Sequence, residues 1–120
     1  MRDETTPFDT ANWRDDYDWK EAFVYANTIR TATGCAKDPF TMDDVAEVLK
    51  ASPGENDGPS WMMTGTLKDG RFFFLDAGCD YTGWDCQAGG DAQVADTLDN
   101  LIRFGMTEDA RERLQYPLAA

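Results

Sequence analysis

A glycine-rich segment, GCDYTGWDCQAGG at residues 78–90, brings together acidic, aromatic and thiol side chains that could do chemistry. Five carboxylates and one tyrosine form the candidate set. Glu55 and Asp57 lie in the earlier GENDG loop, Asp76 lies just before the segment, and Asp80, Tyr81 and Asp85 lie within it. Carboxylate oxygens are the ligands that Mg²⁺, Mn²⁺ and Ca²⁺ prefer. The spacing is not that of an EF-hand loop, and aspartates in glycine-rich loops also cap turns by accepting backbone N–H groups. Turn caps and a ligand or divalent-metal site are therefore both open interpretations of this set.

The three cysteines of the chain, Cys35, Cys79 and Cys86, do not have the spacing of a metal or redox site. Structural zinc sites use close Cys-x2-Cys pairs or histidines, and redox dithiols use Cys-x-x-Cys. We therefore interpret the cysteines as small, buried apolar side chains and expect no cofactor. A zinc site and a disulfide are the alternatives.

The sequence contains no histidine, which excludes several kinds of catalytic site. Histidine is the commonest general base and a frequent metal ligand. Sites of the Ser-His-Asp and Cys-His types are therefore excluded. We expect a protein that is not an enzyme, with hydrolysis through the carboxylates of the loops at 54–58 and 76–86 as the catalytic alternative.

A first helix is predicted over residues 18–33. Asp18 and Glu21 have the spacing of a capping box, in which each side chain accepts from the backbone of the other. Apolar residues recur at helical spacing after them, and Gly34 is a stop signal.

A second helix is predicted over residues 42–51. Thr41 is a favoured N-cap, and Val45, Val48 and Leu49 have the spacing of an apolar helical stripe. Proline and glycine follow shortly afterwards and end the pattern.

The run WMMTGTLKDGRFFFLDAG predicts a β-hairpin over residues 61–77. Asp69-Gly70 is typical of a two-residue type I′ turn, which would place Leu67 opposite Phe72. The second strand is apolar on both faces, which indicates a strand inside a sheet. The run YTGWDCQ is the candidate for the third strand of that sheet.

The C-terminal part has the pattern of two helices. Val94, Leu98 and Leu101 form an apolar stripe that predicts a helix over 91–104, and Thr107 is the N-cap of a short helix over 108–115. We therefore expect a single small α+β domain over residues 17–116, following a polar N-terminal arm at 1–16. Its order would be two helices, a short antiparallel sheet and two further helices.

The chain is strongly acidic, with 23 acidic and 11 basic residues and a net charge of −12. Such a field repels nucleic acid and anionic membranes and favours a protein partner with a basic surface, although solubility alone is the simpler interpretation. The residues expected to bind that partner are Asp15, Asp16, Asp18, Asp43, Asp44 and Glu47, with Trp13 and Tyr17 as anchors. No signal peptide and no membrane-spanning run is predicted, so we expect a cytoplasmic protein.

Part of the chain between residues 40 and 114 resembles small acidic proteins encoded by phages and mobile elements. The similar run is GENDGPSW…LKDGRFFFLDAGCDYTGWDCQ…LIRFGMTEDARERL, and CDYTGWDCQ is its most specific part. The resemblance implies no assigned chemistry and no catalytic residue. It implies a mobile-element setting, in which small acidic proteins, anti-CRISPR proteins among them, inhibit host defence.

The leading hypothesis is a phage-type acidic inhibitor in the host cytoplasm that mimics nucleic acid. It would bind the basic nucleic-acid-binding surface of a defence complex, without contacting nucleic acid or membrane itself. The alternative is a small-ligand or divalent-metal-binding protein that uses the carboxylate-rich loops at 54–58 and 76–86. The first hypothesis predicts salt-sensitive binding to a protein, and the second predicts stabilisation by a divalent metal ion.

Overall fold

The fold is centred on a five-stranded mixed sheet with helices on both faces. The structure, a computed structural model, describes residues 13–55, 58–80 and 83–116, without the side chains of residues 80 and 85–87. The strands are β1 (Thr28–Arg30), β2 (Val45–Ser52), β3 (Trp61–Leu67), β4 (Phe72–Asp80) and β5 (Gly83–Ala95). The helices are α1 (Tyr17–Tyr25), α2 (Leu98–Asn100) and α3 (Glu108–Arg113), and helical turns span Trp13–Asp15, Met42–Asp44 and Leu101–Gly105.

The central strand β4 explains why the sheet is covered on both faces. The strand order is β1-β5-β4-β3-β2; β1 pairs with β5 in parallel, and the other neighbours pair antiparallel. Phe73 and Leu75 of β4 pack in one core with α1, and Phe74 packs in a second core with the C-terminal helices. A strand that is apolar on both faces is stable only with a layer on each side. The apolar run that indicated an internal strand is therefore confirmed.

The first helix is shorter than predicted. The helix α1 begins after Asp16, whose carboxylate accepts from the backbone N–H of Trp19, and it ends at Tyr25. The prediction of a helix over 18–33 is therefore wrong in its second half. Thr28–Arg30 instead pairs with the edge of β5, where Ile29 lies opposite Ala92. Threonine and isoleucine are stiff, β-branched residues that favour a strand once a partner strand is available.

The predicted second helix over 42–51 is absent, and the strand β2 takes its place. Thr41 and Asp44 do form a capping box, but it closes only the turn Met42–Asp44. Val45, Val48 and Ala51 then lie opposite Leu67, Gly65 and Met63 of β3, with one extra residue of β2 bulged out between each pair. Each bulge adds a residue, so apolar side chains three apart face the same core. The spacing that indicated a helix is thus produced by a twice-bulged strand.

The hairpin of β3 and β4 is present, but its register differs by one residue from the prediction. The backbone N–H of Leu67 donates to the carbonyl oxygen of Arg71, and Thr66 lies opposite Phe72. The loop therefore has three residues, and Gly70 takes the positive φ (+96°) that closes it. The Asp69 carboxylate accepts from the N–H and the guanidinium of Arg71 and so favours this loop over a two-residue turn.

The C-terminal part also differs from the prediction. The third strand, β5, continues to Ala95, so the predicted helix over 91–104 is wrong in its first half. Asp91, Ala92 and Gln93 lie between β1 and β4 and bind both neighbours, which holds them extended. The helix α2 begins after Thr97 and runs into a wider, π-helical turn at Leu101–Gly105. The helix α3 follows Thr107 as predicted, although it ends at Arg113.

The architecture is thus three layers, helix–sheet–helix. The expected order of two helices, a short antiparallel sheet and two helices is incorrect, because most of the predicted helix 42–51 and part of 91–104 are strand. Residues 1–12 of the predicted N-terminal arm lie outside the described residues. Among the residues that the structure does describe, no helix is both long and apolar enough to cross a bilayer.

Candidate functional site: an acidic surface

Nearly half of the basic side chains of the protein brace its own backbone. Five of the eleven basic side chains donate to main-chain carbonyl oxygens. The contacts are Arg14 to Val45 (2.7 Å), Lys50 to Gln115 (3.3 Å), Arg71 to Ala36 and Asp38 (both 2.9 Å), Arg111 to Ile102 (3.1 Å) and Met106 (2.6 Å), and Arg113 to Ser60 (3.0 Å). The bonds of Arg14, Lys50, Arg71 and Arg113 join segments distant in sequence. All five side chains direct positive charge toward carbonyl oxygens, and Arg71 also pairs with the Asp69 carboxylate.

Few carboxylates have a cationic partner as a result. Within the described part of the chain, the ion pairs are Arg30–Asp91 (3.2 Å), Arg71–Asp69 (2.9 Å) and Arg103–Asp99 (3.0 Å). None of the carboxylate side chains that the structure describes is buried. The negative charge therefore lies on the surface, and most of it is not neutralised by a neighbouring side chain.

Of the first predicted set, two aspartates have structural roles and one does not. The Asp16 carboxylate caps α1 by accepting from the N–H of Trp19 (3.1 Å), and Asp18 accepts from the indole Nε1–H of Trp84 (3.0 Å). Asp15 is exposed and has no hydrogen-bond partner among the described residues. Trp13, predicted as an anchor, is only 3% exposed and packs in the core beside Phe23. Trp13 is therefore not available as a surface anchor for a partner.

The second predicted set divides in the same way. Asp44 completes the capping box by accepting from the N–H of Thr41 (2.8 Å). Asp43 and Glu47 are exposed, without side-chain partners in the described part of the chain. Glu47 lies opposite Thr66 and so faces the side of the sheet away from α1.

Arg14 joins the two predicted sets. It stands directly before Asp15, and its guanidinium reaches the carbonyl oxygen of Val45, the residue that follows Asp44. The same guanidinium lies over the Trp13 ring, 4.8 Å from its centroid. The turn before α1 and the start of β2 are therefore neighbours. The acidic surface consists of Asp15 and Asp43 with the structural carboxylates Asp16, Asp18 and Asp44, whereas Glu47 lies on the other face of the sheet.

An exposed apolar stripe lies beside the acidic surface. Tyr17 and Val24 of α1 are 58% and 63% exposed, although the opposite side of the same helix buries Trp19 and Phe23. They are seven residues apart, which places them on one side of the helix. Tyr17 was predicted as an anchor, whereas Val24 was not; the seven-residue spacing from Tyr17 is the signal that could have identified it.

The carboxylates of the alternative ligand site are only partly described. Glu55 is exposed, and Asp76 is half-buried on β4. Asp57 and Tyr81 lie outside the described residues, as do the side chains of Asp80 and Asp85. In the part of the chain that the structure describes, no three His, Cys, Asp or Glu side chains are close enough to hold a metal ion. The ligand-site prediction for the remaining residues stays a prediction.

Asp76 has a neighbour that the sequence did not indicate. It lies directly opposite Asp91 across β4 and β5, because Asp91 belongs to a strand and not to a helix. Like charges directly opposite in a sheet are unfavourable. The guanidinium of Arg30 on β1 binds Asp91 (3.2 Å) and offsets part of that repulsion. This arrangement fastens β1 to the sheet edge.

The thiol of Cys35 is placed to be unreactive. The side chain is buried, and burial raises the pKa of the Cys35 thiol, with a smaller contribution from its hydrogen bond to Asp96. A protonated thiol is neither a nucleophile nor a metal ligand. The interpretation of Cys35 as a buried apolar residue is confirmed. Cys79 is half-buried, and the side chain of Cys86 lies outside the described part.

The comparisons with known proteins give no information on the function. No protein-family model matches the chain, and the searches of curated proteins and of solved structures find no match. The resemblance to phage and mobile-element proteins therefore stays a prediction.

Proposed function

We propose that this protein is an acidic inhibitor that binds the basic, nucleic-acid-binding surface of another protein. The observation that supports it best is the use of the cations. Five basic side chains brace backbone carbonyls, and most described carboxylates are left exposed without an ion pair. A surface that served only solubility would tolerate interspersed ion pairs equally well.

Physical chemistry relates such a surface to nucleic-acid-binding partners. A protein that binds nucleic acid holds rows of Lys and Arg side chains and releases counterions when phosphates neutralise them. Carboxylates on a folded surface can occupy the same side chains and release the same counterions. Binding of this kind weakens steeply as salt concentration rises.

The partner class follows from the resemblance noted in the sequence. A mobile-element protein that competes with nucleic acid would benefit from blocking an RNA-guided nuclease, whose guide and target channels are strongly basic. We therefore place such nucleases first among the candidate partners. The cytoplasm of the host cell is the corresponding location.

A defined panel tests the proposal. Purified RNA-guided nuclease complexes are mixed with the protein, and target-DNA binding and cleavage are measured between about 50 and 200 mM salt, the range over which phosphate-type contacts weaken strongly. We expect at least one complex to lose DNA binding, with inhibition that declines as salt rises. A panel in which every complex keeps full DNA binding at the lowest salt would contradict the proposal.

Charge reversal locates the contact. The double variant Asp15→Lys, Asp43→Lys alters exposed carboxylates without structural partners, so it should fold normally. We expect about 100-fold weaker inhibition, since like charges facing each other across an interface cost several kcal/mol. The matched control, Glu47→Lys with Glu112→Lys, makes the same net-charge change on the other face of the sheet. Equal losses in the two variants would show that overall charge, and not this surface, carries the inhibition.

A further inference from the structure

Exposed apolar side chains concentrate on α1. In the described chain the large apolar residues that are exposed are Tyr17, Val24 and Phe104, at 58%, 63% and 60%. Two of the three are on one nine-residue helix, and the third belongs to the π-helical turn on the other face of the sheet. Single exposed apolar residues are ordinary, but an aligned pair on one helix requires a reason.

The spacing of the pair is that of a helix that binds in a groove. Seven residues are two helical turns, a rise of about 10.5 Å, so Tyr17 and Val24 lie in line along the helix axis. Helices that bind in grooves of other proteins use anchors at positions i, i+3 or i+4, and i+7. Lys20 and Glu21 occupy the intermediate positions, with aliphatic stems that can cover an apolar floor.

The helix is held rigidly, which favours this role. Asp16 caps its first turn, the Asp18 carboxylate binds Trp84, and the Tyr25 ring stacks on Trp84 with centroids 5.7 Å apart. An anchor on an ordered element loses little conformational entropy when it binds.

Charge decides what the helix binds. Asp15, Asp18 and Glu21 lie around the pair, while Lys20 is the cation of the helix itself. Arg14, the other nearby cation, turns its guanidinium to the carbonyl of Val45. A second copy of this chain would bring the same carboxylates against these and carries the same net charge of −12. A groove with a basic rim complements them.

We propose that the outer face of α1 docks in a groove of the partner that has an apolar floor and a basic rim. Tyr17 and Val24 would fill the floor, and the surrounding carboxylates would bind the rim. The inference rests on the proposed function and adds to it: electrostatics brings the partner, and two apolar anchors hold it. Affinity then has a part that depends on salt and a part that does not.

Alanine substitutions separate the two parts. With the nuclease complex inhibited in the panel assay as the probe, Tyr17→Ala with Val24→Ala should weaken binding about 30-fold or more, as expected for anchor residues. The slope of affinity against salt should stay as in the wild type, because no charge is removed. The charge-reversal double variant should instead flatten that slope. Phe104→Ala, an equally exposed residue on the far side of the sheet, is the matched control and should bind as the wild type.

The outcomes are distinguishable. If no complex of the panel is inhibited, the proposed function and this inference both fail. If charge reversal weakens binding but the alanine pair does not, or weakens it no more than Phe104→Ala, the function stands and the anchors are wrong. Sedimentation of the protein alone, at low and high salt, should give a monomer. A dimer that Tyr17→Ala dissociates would assign the helix face to a second copy and overturn the inference.

Discussion

The two helical layers of this protein cover the same sheet by different means. The α1 side is filled with aromatic rings, among them Trp19, Phe23 and Phe73, and two arginines lie over rings at its margin. The C-terminal side buries smaller residues, such as Leu101 and Ala110. Arginines from α3 complete that layer: Arg111 binds two carbonyls around the π-helical turn, and Arg113 binds Ser52 and Ser60 beside β3.

The difference in packing does not follow the bracing cations, because Arg14 and Arg71 also brace carbonyl oxygens on the α1 side. What distinguishes the two surfaces is the pairing of the carboxylates and the arrangement of the exposed apolar residues. Asp99 of the C-terminal layer has an ion pair with Arg103, whereas Asp15 and Asp43 have none among the described residues. The α1 side also exposes an aligned pair, Tyr17 and Val24, so it is the face that we assign to the proposed basic partner.

The largest effect that tests this comparison is the loss of an aromatic ring from the α1 layer. Trp19→Ala should lower the free energy of unfolding by about 4 kcal/mol, since the side chain is fully buried. Leu101→Ala, fully buried in the other layer, should cost about 3 kcal/mol. Urea denaturation followed by far-UV circular dichroism measures both. A cost for Trp19→Ala below that of Leu101→Ala would contradict the view that aromatic packing dominates the α1 side.

An intermediate effect is expected from removing a brace. Arg111→Met keeps the length of the side chain but leaves the carbonyls of Ile102 and Met106 without their donor, so it should cost about 2 kcal/mol. Arg14→Met removes a single such bond and should cost about 1 kcal/mol. Thermal and urea unfolding give both values. Equal, negligible costs for the two variants would show that the guanidinium contacts do not brace the fold.

The smallest effect concerns alkaline pH. Burial raises the pKa of the Cys35 thiol above its ordinary value of 9.0, so the folded protein holds that proton more tightly than the unfolded chain. The stabilisation is therefore complete below about pH 9 and is lost as pH rises through the raised pKa in the folded state. Cys35→Ala should reduce the loss of stability between pH 8 and about pH 10, measured as urea midpoints.

Tyr116 provides the control for that measurement. Its pKa is also raised by burial, against a hydrogen bond with Thr64 that lowers it, and its ordinary value of 10.0 lies above that of the thiol. Tyr116→Phe should therefore alter the alkaline decline at higher pH than Cys35→Ala does. An identical pH profile for Cys35→Ala and the wild type would contradict the assignment to Cys35.

Local signals in the sequence located some elements and misidentified others for a common reason. The predicted caps at Thr41 and Thr107 are both used, but a cap indicates only that a helical turn starts. After Thr41 the chain becomes strand, because β3 has an outer edge whose backbone groups require a partner. The order of strands in a sheet depends on contacts between residues distant in sequence, and local residue spacing does not predict it.

The negative charge of the candidate site could be predicted from the sequence, but which of its carboxylates have structural roles could not. The excess of acids and the exposure of Tyr17 could be expected from composition and helical spacing. That Asp16, Asp18 and Asp44 are caps or indole acceptors depends on where their side chains point. The hydrogen bond from Arg14 to Val45 brings the two acidic sets together, and it joins residues that are 31 positions apart in the sequence.

The bulges of β2 also affect how the molecule behaves at high concentration. As the end strand of the sheet, β2 presents backbone donors and acceptors on its outer side, which is the feature that seeds fibril growth in many β-proteins. Ala46 and Leu49, the two bulged residues, interrupt the even row of hydrogen-bonding groups that a second strand would need. The sheet therefore has an open edge that is a poor template for amyloid-like stacking. The same two bulges give the apolar residues of β2 their helix-like spacing.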